Sequence, residues 1–491
     1  MAVWDNLFKK RKRKRSYAAA RPSRLFNDFR ASSSDANSEI RYSLRTLRDK
    51  SRDLVRNNDY AKRYVQLLQT NVIGQNGIRL QSKARDADGS LDRFGNTLIE
   101  KTWEKWGKKG NCTLDGKLSF LDCQKLFIET LARDGEVLVR YVLSNDPENP
   151  FRIQFLDADY IDEEENKILD NDNQVIMGVH IDEHNRPKQY YLFKEHPHNQ
   201  YFQTKNRQHT LVDANDVLHA FVADRAEQTR GVPFLSSAIN RLKMLDGYEE
   251  AELVAARIAA SKMGFFTSPA GDDYVGDDLD GQYTPISNAE PGTFEQLPDG
   301  MNFQTFDPQH PTSGFESFHK SVLRGVASGL GVSYVSLANN LEGVNYSSIR
   351  QGTLEERDNY RILQKFTIEH FIEPIFKRWL LQQMSFKQNF VLPSDKFDKF
   401  ADNVIFVSRS WGWIDPVKEV KANVDGLNAG VVTMQDIQSN YGRDVEELME
   451  QHARERDLAD QYDIAFAYQP FGAQKMPIDA EVSGDDDVEG E

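Results

Sequence analysis

A long helical stretch occupies the middle of the chain, from Pro233 to about Met263. Its apolar residues recur every three or four positions, and its alanines cluster toward its second half. About 30 residues at 1.5 Å rise make a rod of roughly 45 Å. A soluble globule seldom needs such a rod unless the rod packs against copies of itself. We therefore expect an elongated subunit that packs against other copies.

A second helix follows this rod after a segment of different composition. Residues 267–310 are dense in Gly, Pro and Asp, and the strand-like pieces 293–297 and 302–306 predict a small β insertion. The helical pattern resumes from about Phe315 to Leu330. A polar loop follows, and then a helix runs from roughly Tyr346 to Gln383, within which Pro374 should kink or split it.

The remainder of the pattern predicts an α+β fold. Helices are expected over 38–80, with a break at Asn57-Asn58, and over 88–108 and 119–132. Strands are expected at 137–142, 153–156, 175–181 and 190–194, the last two joined as a hairpin, which makes 135–225 β-rich. After a strand at 404–407 the chain is predicted to be helical, with Asp415-Pro416 and Thr433 at helix starts and Asp444 beginning the last helix.

Length and apolar content limit the class of protein. A chain of 491 residues is too long for one hydrophobic core, so two to four sub-domains are expected. No apolar run approaches the length of a membrane-spanning helix, and the N-terminus lacks the apolar core of a secretory signal. Cys112 and Cys123 have no partners at metal-ligand spacing and are interpreted as reduced thiols, with a disulfide between them as the less favoured alternative.

Charge is unevenly distributed along the chain. The net charge is -15, yet residues 1–30 contain ten Lys and Arg against two Asp. Residues 441–491 contain four Lys and Arg against fifteen Asp and Glu, and 484–491 are expected to be disordered. The basic block could bind nucleic acid or an acidic protein, or be a solvated arm; it comprises Lys9, Lys10, Arg11, Lys12, Arg13, Lys14 and Arg15.

Catalytic motifs are sparse. The sequence has no Gly-Lys-Ser/Thr phosphate loop, no His-Glu-x-x-His and no paired Cys-x-x-Cys. His196 and His198 offer two metal ligands without a third, and are interpreted as surface histidines. Carboxylates clustered over 157–165 could bind a divalent ion, as in two-metal nucleases, but a solvated turn is the favoured interpretation. The same holds for the aspartates over 272–280. We assign no catalytic residue, metal or cofactor.

Six short motifs occur in a fixed order along the chain. They are Asp53-Leu54-Val55-Arg56-Asn57-Asn58, Asn71-Val72-Ile73-Gly74, Arg133-Asp134-Gly135-Glu136, Arg230-Gly231-Val232-Pro233, Asp246-Gly247-Tyr248-Glu249-Glu250-Ala251-Glu252-Leu253 and Asn345-Tyr346-Ser347-Ser348-Ile349-Arg350. In this order the motifs resemble those of lambda-type portal proteins of tailed bacteriophages. The resemblance extends from about residue 20 to about residue 460.

The resemblance implies a ring, usually of twelve subunits, at one vertex of the phage head. It also implies a division of the chain: 31–232 the wing, 233–263 a stem helix, 264–312 the clip, 313–332 a second stem helix, 333–346 the tunnel loop, 347–410 the kinked helix and return to the wing, and 411–465 a helical crown. Composition adds a basic arm over 1–30 and an acidic tail over 466–491. Implied partners are other copies of the chain, double-stranded DNA, the large terminase subunit, the head-closure protein, and the major capsid and scaffold proteins. No membrane is implied, and the expected locations are the virion and, during assembly, the host cytoplasm.

The implied tunnel loop agrees with a channel through which DNA slides. The segment 333–346 contains no Lys or Arg, and twelve copies of the chain would have a formal charge of about -180, which disfavours tight phosphate binding. Lys320 and Arg324 could line the channel or pair with acidic residues of neighbouring subunits. A metal-dependent nucleic-acid enzyme and another phage ring component remain alternatives. The tunnel-loop residues are Ser333, Asn339, Asn340, Leu341, Glu342, Gly343, Val344, Asn345 and Tyr346.

Overall fold

A computed structural model shows an α+β chain with helices and antiparallel sheets. It describes residues 33–144, 146, 149–170, 173–199, 208–260, 264–267, 278–279, 285–286, 302–305, 314–343, 345–386, 390–411, 416–440 and 445–464. Within these ranges no helix is long and apolar enough to cross a bilayer.

The N-terminal part is mainly helical, with one β-strand between its third and fourth helices. Its elements are α1 (Ala36–Arg41), α2 (Leu44–Asn57), α3 (Asp59–Leu68), β1 (Arg79–Ser82), α4 (Arg93–Trp106) and α5 (Phe120–Asp134). The predicted break at Asn57-Asn58 is confirmed: the Asn58 side chain caps α3 by accepting hydrogen bonds from the amides of Tyr60 and Ala61. Such a cap satisfies orphan amides at a helix start.

Two antiparallel sheets follow. Their strands are β2 (Glu136–Leu143), β3 (Phe151–Leu156), β4 (Lys167–Ile168), β5 (Gln174–Ile176), β6 (Val179–Ile181), β7 (Pro187–Phe193), β8 (His209–Asp213) and β9 (Val217–Phe221). One sheet has the order β3-β2-β9, and the other runs from β4 to β8 in sequence.

The β-rich part is confirmed, and so is the hairpin between β6 and β7, but the single strand expected over 175–181 is wrong. Met177 and Gly178 both have positive φ and turn the chain, so β5 and β6 pair with each other. Two consecutive left-handed residues are typical of a tight hairpin turn. Apolar residues continue through Met177 and Gly178 without a polar residue, so the sequence pattern does not reveal the turn. The strands β1, β4, β8 and β9 were not predicted.

The long central helix begins later than predicted. Pro233 is extended and precedes a 3₁₀ turn at Phe234–Ser237, after which α6 covers Ile239–Ala260. Its 22 residues span about 33 Å, less than the predicted rod. Residues 261–263 lie outside the described residues.

The insertion and the second helix of the pair agree with expectation where they are described. Strands β10 (Gly264–Thr267) and β13 (Asn302–Thr305) pair with each other, as do β11 (Asp278–Leu279) and β12 (Pro285–Ile286). The strand predicted near 302 is confirmed, whereas 293–297 and most of the aspartates over 272–280 lie outside the described residues. Helix α7 covers Phe315–Leu330, the bounds that the sequence predicts.

The segment predicted as one loop over 333–346 contains a short helix, α8 (Tyr334–Ala338). The long helix behind it has two parts, α9 (Tyr346–Thr367) and α10 (Glu373–Ser385), joined by the π-helical turn Ile368–Ile372. Pro374 stands in the first turn of α10. Because proline lacks an amide hydrogen, the preceding carbonyls need another arrangement, and the wider π turn supplies one.

The C-terminal elements are α11 (Phe397–Ala401), β14 (Val404–Val407), α12 (Pro416–Asn428), α13 (Met434–Asn440) and α14 (Val445–Gln461). Strand β14 pairs with the distant β1, so the chain returns to the N-terminal part. Thr433 caps α13 as predicted, in a reciprocal pair of hydrogen bonds with Asp436. Asp415 and Asp444 lie outside the described residues.

One large apolar core joins α2–α5, the three-stranded sheet, the start of α6, and α7 to α10. Its centre is aromatic: Trp103 stacks on Trp106 with ring centroids 4.7 Å apart and meets Trp379 edge-on at 5.1 Å. Stacked and edge-on pairs stabilise a core beyond the area that they bury. A smaller cluster lies between the two sheets.

Two glycine turns interlock at the edge of this core. Gly135 ends α5 in the left-handed conformation, with φ +87°. A Cβ on Gly135 would lie 2.3 Å from the Val232 carbonyl carbon, and a Cβ on Gly231 would lie 2.1 Å from the Gly135 oxygen. The motifs 133–136 and 230–233 are therefore packed backbone against backbone.

We predict that Gly231→Ala lowers the free energy of unfolding by about 3 kcal/mol or more, because backbone must move to admit the methyl group. Gly247→Ala is the matched control, since nothing lies within 4 Å of its Cβ position in α6. There the gain in helix propensity should leave stability unchanged or raised by up to about 1 kcal/mol. Thermal and denaturant unfolding of both variants measure this, and equal midpoints would contradict it.

Candidate functional site

A fully buried carboxylate, Glu136, lies at the start of β2. It accepts hydrogen bonds from Arg48 at 2.7 Å and from Arg230 Nε at 2.9 Å, and the Gly231 amide donates to it at 3.1 Å. His219 Nε2 lies 3.0 Å from the same carboxylate. Burial alone would raise the pKa of Glu136, but Arg230, His219 and Arg48 hold it well below its usual range.

A second layer of ion pairs surrounds this centre. Asp159 pairs with Arg48 and, at 2.6 Å, with Arg52, which also contacts Asp134 at 2.7 Å and Asp157 at 2.6 Å. Burial would raise the pKa of Asp159, but Arg48 and Arg52 lower it to about 2. Glu136 and this second layer form what we call the arginine–carboxylate hub. It joins α2, the end of α5, β2 and the segment before α6.

The hub changes the interpretation of the acidic stretch 157–165. Asp157, Asp159 and His196 lie close enough together to hold one ion, as do Asp162, Glu165 and His209. In the first group, however, both carboxylates are bound by arginines. In the second, Asp162 lies 2.6 Å from His209, and Glu165 lies 2.8 Å from Lys167. The solvated turn was therefore the wrong interpretation for Asp157, Asp159 and Asp162, which take part in internal ion pairs.

The histidines 196 and 198 do not converge on one site. His198 lies 2.7 Å from an Arg45 nitrogen, and burial and Arg45 lower its pKa. His196 Nε2 lies 3.9 Å from Asp157.

The segment 333–346 is anchored at its start and exposed at its tip. Ser333 caps α8, and the hydroxyls of Ser333 and Ser336 donate to Glu356 at 3.0 and 2.8 Å. Asn339 has a left-handed backbone, which ends α8. Leu341 is 67% exposed, and Glu342 and Gly343 are also exposed. Val344 and the side chain of Tyr346 lie outside the described residues.

Lys320 and Arg324 lie on α7 beside this segment. Lys320 pairs with Glu316 within the same helix and lies 3.7 Å from Glu342. The hydrogen bond to Glu316 raises the pKa of Lys320. The Arg324 guanidinium lies 5.6 Å from the centre of the Tyr334 ring, a cation–π contact. All of these contacts are within one chain. The basic block 9–15 lies outside the described residues.

Sequence reasoning missed a junction between α3, α6 and α7. The Tyr60 hydroxyl lies 3.3 Å from Glu249, and His319 Nε2 lies 2.5 Å from the same carboxylate. Burial and Glu249 raise the pKa of Tyr60 to about 12. The ion pairs of the hub arginines were also missed. No local signal marks them, because Arg48 and Arg52 occur in a helix with many other basic residues.

Comparison with known proteins gives consistent matches. Residues 22–364 match the family model described as phage portal protein, lambda family. The chain is 36% identical over 446 residues to the probable portal protein of Halomonas phage phiHAP-1, covering 89% of this chain and 85% of that protein. It is 24% identical to portal protein B of Escherichia phage lambda, over 82% of each. A solved structure of the neck of an empty gene transfer agent particle aligns with a TM-score of 0.42 and 12% identity, over 80% of this chain and 93% of that one.

We predict that Glu136→Gln lowers the free energy of unfolding by about 3–5 kcal/mol, because it leaves Arg230 buried without a counter-charge and leaves Arg48 with Asp159 alone. Glu183→Gln is the control, since its pair with the adjacent His184 is exposed on both sides and should contribute little. Denaturant unfolding at neutral pH measures both. The hub would not be the stabilising centre if the two variants behaved alike.

A second prediction concerns the stability of the chain at low pH. The lowered pKa of Asp159 means that its contribution, about 2 kcal/mol, is complete above the ordinary aspartate value of 3.8 and is lost as pH falls toward about 2. Unfolding followed from about pH 5 to pH 2 should therefore show a steeper loss of stability in the native chain than in Asp159→Asn. Parallel curves would show that Asp159 is not paired as described.

Proposed function

The chain belongs to the lambda family of phage portal proteins, and from this we propose that it forms a ring channel at one capsid vertex. Double-stranded DNA would be packaged and ejected through the centre of that ring. A ring of about twelve copies is expected from closed rotational symmetry and from the family. In this proposal α6 and α7 are the stem helices, and residues 333–346 form the tunnel loop.

The observation that carries this proposal is the exposed tip of the 333–346 segment. Leu341, Glu342 and Gly343 are exposed, and no Lys or Arg occurs in the whole segment. Of the two α7 cations beside it, Lys320 already contacts Glu316 and Glu342, and Arg324 packs over the Tyr334 ring. A lysine that faces the channel and contacts a DNA phosphate would release counterions, and this would tighten the binding of DNA. A tip without free cations can contact DNA and still let it slide.

Unburied apolar side chains on the proposed stem support assembly into a ring. Met244 and Leu253 on α6 are 77% and 67% exposed, and Phe318 on α7 is 53% exposed. Apolar residues of α6 are distributed around the helix and not confined to one stripe, which is typical of a helix covered on several sides. Neighbouring subunits would supply that cover.

The remaining roles follow from the same proposal. The insertion 264–312 would be the clip, which contacts the terminase motor and later the head-closure protein. The wing would face the major capsid and scaffold proteins, and the C-terminal helices would form the crown. We propose a structural role in the virion, after assembly in the host cytoplasm. The alternative of a metal-dependent nucleic-acid enzyme loses its main support, because Asp157 and Asp159, which would bind the metal, are bound by arginines.

Deleting Asn339–Gly343 tests the conduit. The deleted residues contribute little to the core, so the ring should still assemble, as native mass measurement would show. Packaging or retention of DNA in particles should fall, because the tip that contacts DNA is gone. A Gly/Ser replacement of equal length is the matched control, since it keeps the reach of the segment and adds no cation.

We expect the replacement to package closer to the native level than the deletion does. Normal packaging by the deletion would show that the tunnel loop lies elsewhere. A chain that stays monomeric at all protein and salt concentrations, before any deletion, would remove the ring itself.

A further inference from the structure

A cleft lies where the end of α7 meets α9, at the point where the Asn359 side chain donates to the Gly331 carbonyl at 3.0 Å. Its volume is about 400 Å³, within the range of pockets that hold a ligand. Buried apolar side chains, among them Leu68 of α3 and Val332, form its floor. At its rim, Ile362 of α9 is 67% exposed. We call it the α7–α9 cleft.

One wall of this cleft contacts the N-terminal end of the described residues. The wall is the stretch after β9 and includes Val222 and Asp224. Arg225, the next residue, donates to the Ser34 carbonyl at 3.2 Å and pairs with Glu39 of α1 at 2.6 Å. The chain that precedes α1 therefore joins the described residues beside the cleft.

The sequence just before α1 can supply apolar side chains to the cleft. Residues 24–30 read Arg-Leu-Phe-Asn-Asp-Phe-Arg, which places three apolar residues within five positions and an arginine at each end. Because a chain spans at most about 3.3–3.6 Å per residue, Phe29 can lie up to about 17 Å from Ser34 and Leu25 up to about 30 Å from it. Both can therefore reach a cleft whose wall adjoins Arg225.

Charge favours the same segment. Asp224 is exposed, and among the described residues no Lys, Arg or His forms an ion pair with its carboxylate. An arginine at either end of 24–30 would supply that partner. The other apolar cluster near the N-terminus, over residues 3–8, is separated from 24–30 by the basic block 9–15. The segment 24–30 is thus the nearer of the two and has the matching charge.

We propose that residues 24–30 of the same chain dock in the α7–α9 cleft. The three apolar side chains would cover Leu68, Val332 and Ile362, and one of the two arginines would pair with Asp224. The docked segment would tie α1 to the end of α7 and to α9, and so hold the end of the proposed second stem helix. The inference concerns a contact within one chain and does not depend on the ring or on the tunnel loop.

Trypsin digestion of the purified full chain tests the docking. The block 9–15 consists of Lys and Arg, whereas Arg24 and Arg30 would be held at the cleft. We expect cleavage within 9–15 first, and cleavage after Arg24 and Arg30 at least about tenfold more slowly, because a docked segment is cut only while it is open. Equal rates at the two places would overturn the proposal.

Two variants test whether the cleft is the source of this protection. Phe26→Ser/Phe29→Ser changes the segment, and Ile362→Asp changes the rim of the cleft; each should abolish the slow cleavage. If Ile362→Asp fails to fold, as a melting curve would show, the double variant decides, since its two positions precede all the described residues. Slow cleavage that persists in the double variant would overturn the proposal.

Two matched controls make the same chemical changes elsewhere. Leu7→Ser/Phe8→Ser removes an apolar pair from the other N-terminal cluster, and Val391→Asp places an acid at a side chain that is 78% exposed and does not line the cleft. Both controls should keep the slow cleavage after Arg24 and Arg30. Its loss in the controls to the same extent as in the test variants would contradict a specific contact.

Photo-crosslinking identifies the chain that provides the cleft. Benzoylphenylalanine replaces Phe29 in a mixture of equal amounts of unlabelled and nitrogen-15-labelled chains, and crosslinked peptides are identified by mass. We expect crosslinks from position 29 to residues 329–332 or 359–363 of the same chain. Crosslinks between labelled and unlabelled chains would assign the cleft to a second copy, and crosslinks to another surface would place the segment elsewhere; either result overturns the proposal.

Discussion

Burying the charge of Glu136 is the constraint on which the rest of the structure depends. A carboxylate with no exposed surface is costly unless its charge and hydrogen-bonding capacity are matched. Arg48, Arg230, His219 and the Gly231 amide supply that match from three separate stretches of chain. The native arrangement of α2, β2 and the segment before α6 is thus the arrangement in which this charge is compensated.

The position of the hub determines how the proposed stem is attached. Arg230 and Gly231 are held against Glu136, and Pro233, the 3₁₀ turn and α6 follow directly. At the other face, Glu249 of α6 contacts Tyr60 and His319. The start of α6 is therefore fixed by the hub and its middle by the contacts of Glu249, whereas the 339–343 tip is held mainly by local contacts and by the exposed Glu342. In the proposed channel, firmly held stem helices would keep the shape of the ring, and the loosely held 339–343 tip would move aside as DNA passes.

Much of the helical fold could be predicted, because helix periodicity, caps and breaks are local. Asn58, Thr433 and the bounds of α7 are examples. The contacts of the hub could not be predicted, since Arg48 and Arg230 reach Glu136 across 88 and 94 residues. The ordered motifs include Arg230 and Glu136, but nothing local in the sequence pairs the two. For the same reason the carboxylates 157 and 159 were interpreted as a solvated turn: their partner, Arg52, lies on α2, more than 100 residues earlier. The predicted tunnel loop includes α8 because a five-residue helix is too short to show periodicity.

The ordered motifs gave the family resemblance, and the structure explains why two of them occur together. Arg133-Asp134-Gly135-Glu136 and Arg230-Gly231-Val232-Pro233 are the two halves of one contact, in which glycine permits backbone approach and the charged residues pair. A substitution in either motif would therefore disturb the position of the other. Among the described residues the 339–343 tip has no comparable reciprocal partner, so in the proposed channel its sequence could vary as long as it stays exposed and free of cations. Two of the six motifs that carry the resemblance to portal proteins thus meet in the buried hub, whereas the proposed passage of DNA would depend on a segment that the hub does not contact.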